Sequence, residues 1–279
     1  MRITLVCCFI LSVICTYGNT FFIGTDYDYE TPNALYIANV VSDGDTIFIE
    51  SKTYEGLATL AVWNQNDLVI IGGEGVERAL LKAEGQYILG KGIWVIAGNN
   101  TKIYNIEFHG TIVPDKNGAG IRLDGGSLYL NNCGFFFNEM GLLSNSSPGT
   151  VKVEYCAFGY NGYGDGFSHN IYINHMDSLI FRYNESFNAV IGHTLKSRAR
   201  NNIIEYNLFY DGENGTSSRL IDLPDGGFSL VMGNILIQGE NAENNNILGY
   251  GLEGLYDSMI NSLYVINNTV INEKTSSGR

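Results

Sequence analysis

Five basic residues in the second half of the chain are the side chains with the clearest chemical potential. Between Val153 and Glu273 the Lys and Arg residues are Arg182, Lys196, Arg198, Arg200 and Arg219. The chain has a formal net charge of −13, so this is a local concentration of positive charge. Such a patch suits an anionic polymer. The alternative is that each cation pairs with a neighbouring acid on the surface.

The segment around Lys196, GHTLKSRARNN, can be read as a β-strand in which alternate side chains face opposite sides. If Leu195 and Ser197 face the interior, then Thr194, Lys196 and Arg198 face outward. Counting within the sequence repeat described below places these residues at equivalent outward positions: Arg122, Tyr172, Lys196, Asp222 and Glu253. A Lys between a Tyr and a carboxylate forms either an ion-pair ladder or an acid–base site on a sugar-binding groove.

Four histidines complete the inventory of groups that titrate near neutral pH. His169 and His193 come just before their strands, at the same point of the repeat, and are candidate site residues. His109 and His175 have no comparable neighbours in the sequence and receive no role.

Composition limits the class of protein that can position these groups. Pro is scarce at 4, Gly is abundant at 34, and charged residues make up 16% of the 279 residues. Hydrophobic residues reach 45%, which excludes a disordered chain, and the scarcity of Ala, Lys and Glu argues against a helix bundle. The acidic pI of about 4.6 argues against nucleic-acid binding. The composition therefore favours a β-rich chain with many turns.

A short pattern recurs along the chain at intervals of roughly 23 to 34 residues. An apolar residue is followed three positions later by a small or polar residue, and two positions later by another apolar residue. The pattern occurs at Ile103/Ile106/Phe108, Leu130/Cys133/Phe135, Val153/Cys156/Phe158, Ile204/Asn207/Phe209, Val231/Asn234/Leu236 and Val265/Asn268/Val270, and, with one extra residue, at Phe181/Asn184/Phe187. This repeat predicts a parallel β-helix whose coils stack about 4.8 Å apart.

Stacking brings equivalent residues into ladders along the axis. Asn207, Asn234 and Asn268 are expected to form an internal amide ladder that bonds to turn backbone. Cys133 and Cys156 fall at the same ladder position. We expect two stacked thiols rather than a disulfide, because in-register parallel neighbours offer poor bridge geometry.

The two ends of the chain differ. Residues 1–18 have one Arg, an apolar run of about 12 residues and small residues at Thr16 and Gly18, which predicts a cleaved signal peptide, secretion and no membrane span. Residues 19–279 are then one β-helix domain. Thr31–Pro32 predicts the start of a helix that covers the first coil. The ending EKTSSGR directly follows an apolar coil, so either another subunit covers that coil or the chain continues; the oligomeric state is open.

The repeat, the leader and the opening GDTIFIESKTYEG resemble secreted right-handed parallel β-helix proteins of the pectate-lyase-like superfamily, over about residues 31–272. The motifs SHNIYI, GHTLKSRA and IDLPDGG resemble a subgroup of β-helix repeat proteins. The run Lys196–Asn201 also resembles the alginate lyase and chondroitinase B branch, where a Lys is the base and an Arg on the next coil is the acid. Lys196 matches that Lys and Arg219 is the candidate for that Arg, although Leu-Ile-Asp follows it where the branch has His-Gly.

The resemblance implies a polysaccharide lyase that acts on a uronic-acid polymer. Arg198 and Arg219, with Ca²⁺ as a further candidate, would neutralise the carboxylate, and Lys196 or Tyr172 would take the proton. The candidate catalytic residues are Lys196, Arg198, His193, Tyr172, Arg219 and Asp222, and the candidate substrate-binding residues are His169, Arg182, Arg200 and Glu253. Two alternatives stay open: a glycoside hydrolase in which Asp222 works with Asp225 or Glu253, and a glycan-binding β-helix without catalysis.

Overall fold

The computed structural model describes residues 18–73, 77–256 and 260–275, so the predicted signal peptide, except for Gly18, lies outside the described residues. The chain is an all-β right-handed parallel β-helix of about 8 turns with one short α-helix, as the repeat predicted. Within the described ranges no helix is long and apolar enough to cross a bilayer.

Each complete turn contributes one strand to each of three parallel sheets, and strands are numbered in chain order. The first sheet contains β1 (Thr20–Ile23), β2 (Thr46–Ile49), β5 (Val69–Gly72), β8 (Thr101–Tyr104), β11 (Leu128–Asn131), β14 (Thr150–Glu154), β17 (Ser178–Arg182), β20 (Asn201–Glu205), β23 (Phe228–Met232) and β26 (Ser262–Ile266). The second contains β3 (Thr53–Glu55), β6 (Ala79–Lys82), β9 (Ile106–His109), β12 (Gly134–Phe136), β15 (Ala157–Gly159), β18 (Glu185–Phe187), β21 (Leu208–Tyr210), β24 (Ile235–Gln238) and β27 (Thr269–Asn272). The third contains β4 (Ala61–Trp63), β7 (Gly92–Ile96), β10 (Ala119–Leu123), β13 (Met140–Ser144), β16 (Ile171–Ile173), β19 (Leu195–Ser197), β22 (Ile221–Leu223) and β25 (Leu248–Tyr250).

One residue with a left-handed backbone turns the chain from the first sheet to the second in each of seven coils. The residues at this corner are Asn105, Asn132, Tyr155, Tyr183, Tyr206, Gly233 and Asn267, with φ between 51° and 67°. The three tyrosines stack outside the corner, with ring centroids 5.2 and 5.7 Å apart. Stacking of these rings offsets the strain that a bulky residue carries at positive φ.

The predicted internal ladder is present immediately after this corner. Asn184, Asn207 and Asn234 each donate from Nδ2 to Oδ1 of the next ladder Asn, over 2.9–3.1 Å, and Asn268 is the last of them. Cys133 and Cys156 are free and buried at the head of the same ladder, and the Cys133 N–H donates to the Cys156 sulfur over 3.3 Å. The prediction of stacked thiols is confirmed.

A column of aromatic rings fills the interior beside the ladder, and it corrects one detail of the repeat. Ser186, rather than Phe187, pairs in register with both Phe158 and Phe209, so that coil contains no extra residue. The ring of Phe181, from the first sheet, fills the space that this serine leaves, 6.1 Å from Phe158 and 5.8 Å from Phe209. Phe187 points outward and stacks on Tyr210.

The predicted capping helix is α1 (Pro32–Ala38), and the Thr31 side chain accepts from the Ala34 N–H as its N-cap. The helix packs on β4, the end strand of the third sheet, and buries Leu35 completely. Sequence reasoning missed β1, which pairs with β2 and adds a first-sheet strand before the helix. Helix α1 thus covers the end of the third sheet, where a further strand would otherwise stack.

Candidate active site

Tyr172, Lys196 and Asp222 occupy one outward column on the third sheet. Register pairs Tyr172 with Lys196, and Lys196 with Asp222. The prediction that these three residues lie on consecutive coils of one face is confirmed. The next position of the column is Gly249 rather than Glu253, which lies just beyond β25. At the other end of the column, Leu143 lies between Tyr172 and Arg122.

The inward and outward assignments around Lys196 are correct apart from Thr194. Leu195 and Ser197 are buried, and Ser197 Oγ lies 2.6 Å from Asn202 Oδ1. Lys196 and Arg198 project onto the outer face. Thr194, expected outside, is buried, and its hydroxyl donates to the Leu220 carbonyl. The strand β19 begins only at Leu195, so Thr194 belongs to the preceding bend and escapes the alternation.

Glu253 reaches back over the outer face of the third sheet. It bridges Lys196, in β19, and Arg198, the residue that follows β19. Its carboxylate accepts from Lys196 Nζ over 3.0 Å and from the Arg198 guanidinium. The hydrogen bond from Arg198 is the main cause that lowers the pKa of Glu253 to about 2. Arg198 Nε also donates to Tyr172 Oη over 2.9 Å. Lys196 and Arg198 therefore hold the Glu253 carboxylate, and Arg198 connects it to Tyr172.

Asp222 lies almost fully buried beneath this carboxylate. Arg219 NH1 approaches its Oδ1 at 3.3 Å, while Lys196 Nζ and His193 Nε2 approach its Oδ2 at 3.9 and 3.4 Å. Burial raises the pKa of Asp222 although Arg219 and Lys196 act to lower it. Asp222 and Glu253 are thus two nearby carboxyl groups with pKa values shifted in opposite directions.

His169 and His193 stack with ring centroids 4.9 Å apart and act as acceptors for backbone groups. His169 Nδ1 accepts the His193 N–H, and His193 Nδ1 accepts the Arg219 N–H, each over 3.0 Å. Burial, followed by the charge of Lys196, lowers the pKa of His193 to about 3. Burial also lowers the pKa of His169 well below its usual value. Both rings are therefore neutral at neutral pH.

Two of the predicted cations lie away from the column. Arg182 is in β17 of the first sheet and pairs with Glu205 at 2.7 Å, so it is not part of this cluster. Arg200 lies exposed at the corner after β19 and lines a groove with His175 and Tyr256.

Asp225 and His175 are brought to the site by turns between sheets. Asp225 follows β22, is buried, and accepts from both Arg198 and His175 Nε2, the latter over 2.9 Å. Asp225 entered the sequence argument only through the hydrolase alternative, and His175 received no role. His175 and Asp225 each lie two residues after the end of a third-sheet strand, and this equal spacing could have indicated that they meet. The lengths of the turns vary between coils, which weakens such a signal.

The three carboxylates of the cluster already form ion pairs with its cationic side chains. Asp222, Asp225 and Glu253 face Lys196, Arg198 and Arg219 as described above. Within the three described ranges, no group of three His, Cys, Asp or Glu side chains could hold a metal ion. The carboxylates therefore do not fit a Ca²⁺ site in this arrangement.

Comparison with known proteins supports the fold. No protein family model and no curated protein matches the chain. Among solved structures, the pectin methylesterase of Aspergillus niger superposes with a TM-score of 0.54 at 13% identity, covering 93% of this chain and 90% of that one. At this identity the likeness concerns the fold alone. The chain has the right-handed parallel β-helix fold of the pectate-lyase-like proteins.

Proposed function

We propose that this protein is a secreted, carbohydrate-active β-helix that binds a uronic-acid-containing polysaccharide along its third sheet and cleaves it by β-elimination. The observation that carries the proposal is the Glu253 carboxylate between Lys196 and Arg198. A uronate carboxylate would find the same two cations at that position once Glu253 moved aside. The pectin methylesterase with a similar fold acts on a polymer of this chemical class.

β-Elimination needs neutralisation of the uronate carboxylate, a base for the C5 proton and an acid for the leaving oxygen. Lys196 and Arg198 supply the neutralisation. Tyr172 is the better base of the two candidates, because Arg198 Nε donates to its oxygen while Lys196 is engaged with carboxylates. Asp222, whose pKa is raised by burial, is the acid. The C5–H and C4–O bonds break, the C4=C5 bond forms, and the proton from Asp222 goes to the leaving oxygen.

Absorbance at 235 nm, which reports the unsaturated product, tests the proposal on alginate, pectate, chondroitin and hyaluronan. Tyr172→Phe should lower kcat by about 10² to 10⁴, the usual contribution of general-base catalysis. Lys196→Arg should retain turnover, because a guanidinium still binds a carboxylate. Lys196→Ala should mainly raise KM. The matched control is Tyr129→Phe, which alters a tyrosine of the first sheet.

The outcome for Lys196→Arg separates the two bases. If that variant is inactive while Tyr172→Phe retains activity, Lys196 is the base and our assignment of Tyr172 is wrong. If none of the four polymers yields absorbance at 235 nm but one is retained on an affinity column, the face binds glycan without cleaving it.

Glycoside hydrolysis is the second candidate, and the opposed pKa shifts of Asp222 and Glu253 favour it. A carboxyl with a raised pKa beside one with a lowered pKa is the arrangement that hydrolytic acid–base pairs use. Release of reducing ends without absorbance at 235 nm identifies this reaction. Glu253→Gln should then abolish turnover, whereas for the lyase it should lower KM by removing an internal competitor for the cations.

A further inference from the structure

Ser146, His175 and Asp225 come together at the corner between the third and first sheets. Ser146 follows β13, His175 follows β16, and Asp225 follows β22. The corner adjoins the column of Tyr172, Lys196 and Asp222, which lies within the strands, and Arg198 contacts both Tyr172 and Asp225. Three residue types that form hydrolytic relays therefore meet in turns from three different coils.

Their contacts form a relay with a defined direction. Asp225, 3% exposed, accepts from His175 Nε2 over 2.9 Å. That bond places the imidazole proton on Nε2 and leaves Nδ1 as an acceptor. Ser146 Oγ lies 3.5 Å from Nδ1, longer than the roughly 2.6–3.2 Å of a nucleophile and its base, a contact that often tightens when substrate binds. Arg198 binds the second oxygen of Asp225 and fixes the carboxylate in place.

A groove of about 530 Å³ opens beside the relay, and Ser146, His175, Arg200 and Tyr256 line it. Among the described residues Arg200 has no ion-pair partner, so its guanidinium is available to a bound group. The Tyr256 ring meets the His175 ring edge to face at 5.3 Å. A tyrosine ring at the rim offers an apolar face to a sugar, and the cation can stabilise negative charge that develops on a carbonyl oxygen.

We propose that Ser146, His175 and Asp225 form an ester-hydrolysing site for short acyl esters, such as acetyl groups, carried on sugars. Ser146 Oγ attacks the acyl carbon while His175 Nδ1 takes its proton. The C–O bond to the sugar breaks, and His175 returns the proton to the sugar oxygen. His175 then takes a proton from water, and the hydroxide attacks the acyl carbon. The C–O bond to Ser146 breaks, His175 returns the proton to Ser146 Oγ, and the carboxylic acid is released. The reaction needs no further reactant, and it does not depend on β-elimination at the column.

The first test uses 4-nitrophenyl acetate and an acetylated xylan, with nitrophenolate and free acetate as the readouts. Ser146→Ala should lower the rate by about 10²-fold or more. The matched control is Ser51→Ala, because Ser51 lies outside this groove and its hydroxyl donates to the Arg78 carbonyl over 3.4 Å. Equal rates for Ser146→Ala and the unaltered protein would overturn the proposal.

Two further measurements distinguish a catalytic role of Ser146 and His175 from a purely structural one. A fluorophosphonate probe should label Ser146, as seen by peptide mass spectrometry, and labelling should vanish in Ser146→Ala but persist in Ser51→Ala. Added imidazole should restore part of the activity of His175→Ala, because the groove is open to small molecules. Labelling at another residue, or no labelling of a folded protein, would refute the assignment. The 235 nm assay follows the proposed lyase separately, so failure of one activity leaves the other testable.

Discussion

Asn234 lies in the interior of the β-helix, where a polar side chain is tolerated only if every donor and acceptor is used. Its Oδ1 accepts from the N–H and Nδ2 of Asn207, and its Nδ2 donates to Ile204 O and Asn268 Oδ1. A single side chain thus connects three successive coils. Leucine has the same branched arrangement of heavy atoms but can make none of these bonds.

Asn234→Leu should therefore lower the free energy of unfolding by about 3 kcal/mol or more, because each buried group left without a partner costs roughly 1–3 kcal/mol. Urea denaturation followed by circular dichroism measures the loss. Asn245→Leu, at an exposed position, is the control and should change stability little. An unchanged urea midpoint for Asn234→Leu would mean that the amide ladder contributes nothing to stability.

At the scale of single residues, the repeat spacing was enough to predict the column of Tyr172, Lys196 and Asp222. These residues lie within strands, and hydrogen bonding between neighbouring strands determines their register. Glu253 and Asp225 could not be placed, because both lie in turns whose paths depend on tertiary contacts. From the sequence, ion pairing of the cations with these acids could be stated only as an alternative to polymer binding.

The bends that lead into β16 and β19 form an element of their own, in which one histidine ring supports the backbone of the next coil. The His193 N–H bonds to His169, and the Arg219 N–H bonds to His193. Neutral imidazoles suit this role, because an acceptor nitrogen must be unprotonated. Protonation would remove the acceptor and place a charge beside Lys196 and Arg219.

The bends should make stability depend on pH. The pKa of His193 is about 3 in the folded chain against 6.5 when unfolded, so the unfolded state binds more protons between these values. The contribution of the neutral histidine to the free energy of unfolding should be fully present above pH 6.5. It should fall as the pH drops below that value, by up to about 1.4 kcal/mol per pH unit for each such histidine.

Urea midpoints measured from pH 7.5 to 5 test this dependence. His193→Gln removes one titrating group, and its curve should be flatter than that of the unaltered protein. Asn245→Gln, at an exposed position without a titrating group, serves as the control and should retain the slope. Identical slopes for His193→Gln and the unaltered protein would show that His193 does not titrate differently in the two states.

The whole molecule is a stack of coils with helix α1 over the third sheet at one end and β1 as an extra strand beside it. The repeat predicted the stack, and the Thr31–Pro32 pair predicted the helix. The repeat could not predict β1, because Thr20–Ile23 contains no copy of the repeated motif. Strand β1 begins two residues after Gly18, so cleavage of a signal peptide at that point would leave the strand intact.

Expression through a secretory pathway should yield a protein with the mass of residues 19–279, apart from any attached glycan. Thiol titration of that protein, denatured without reductant, should find two free thiols, from Cys133 and Cys156. Intact mass spectrometry and reaction with a thiol reagent provide the measurements. A mass that includes residues 1–18 would contradict cleavage, and the absence of free thiols would contradict the stacked arrangement.

The amide ladder also has a polarity that bears on how the chain is made. Each of these Asn side chains makes most of its bonds towards the N-terminus: Asn207 accepts the Asn184 N–H and donates to Phe181 O, and Asn234 does the same for Asn207 and Ile204. Only the second bond of each Nδ2, to the following ladder Asn, points the other way. A newly synthesised coil thus meets donors and carbonyls already positioned by the coil before it.

We expect vectorial folding during synthesis, in which the protease resistance of nascent chains rises in steps of one coil. A single late step would contradict this expectation. Helix α1, made early, would then serve as the template on which the growing stack is laid down.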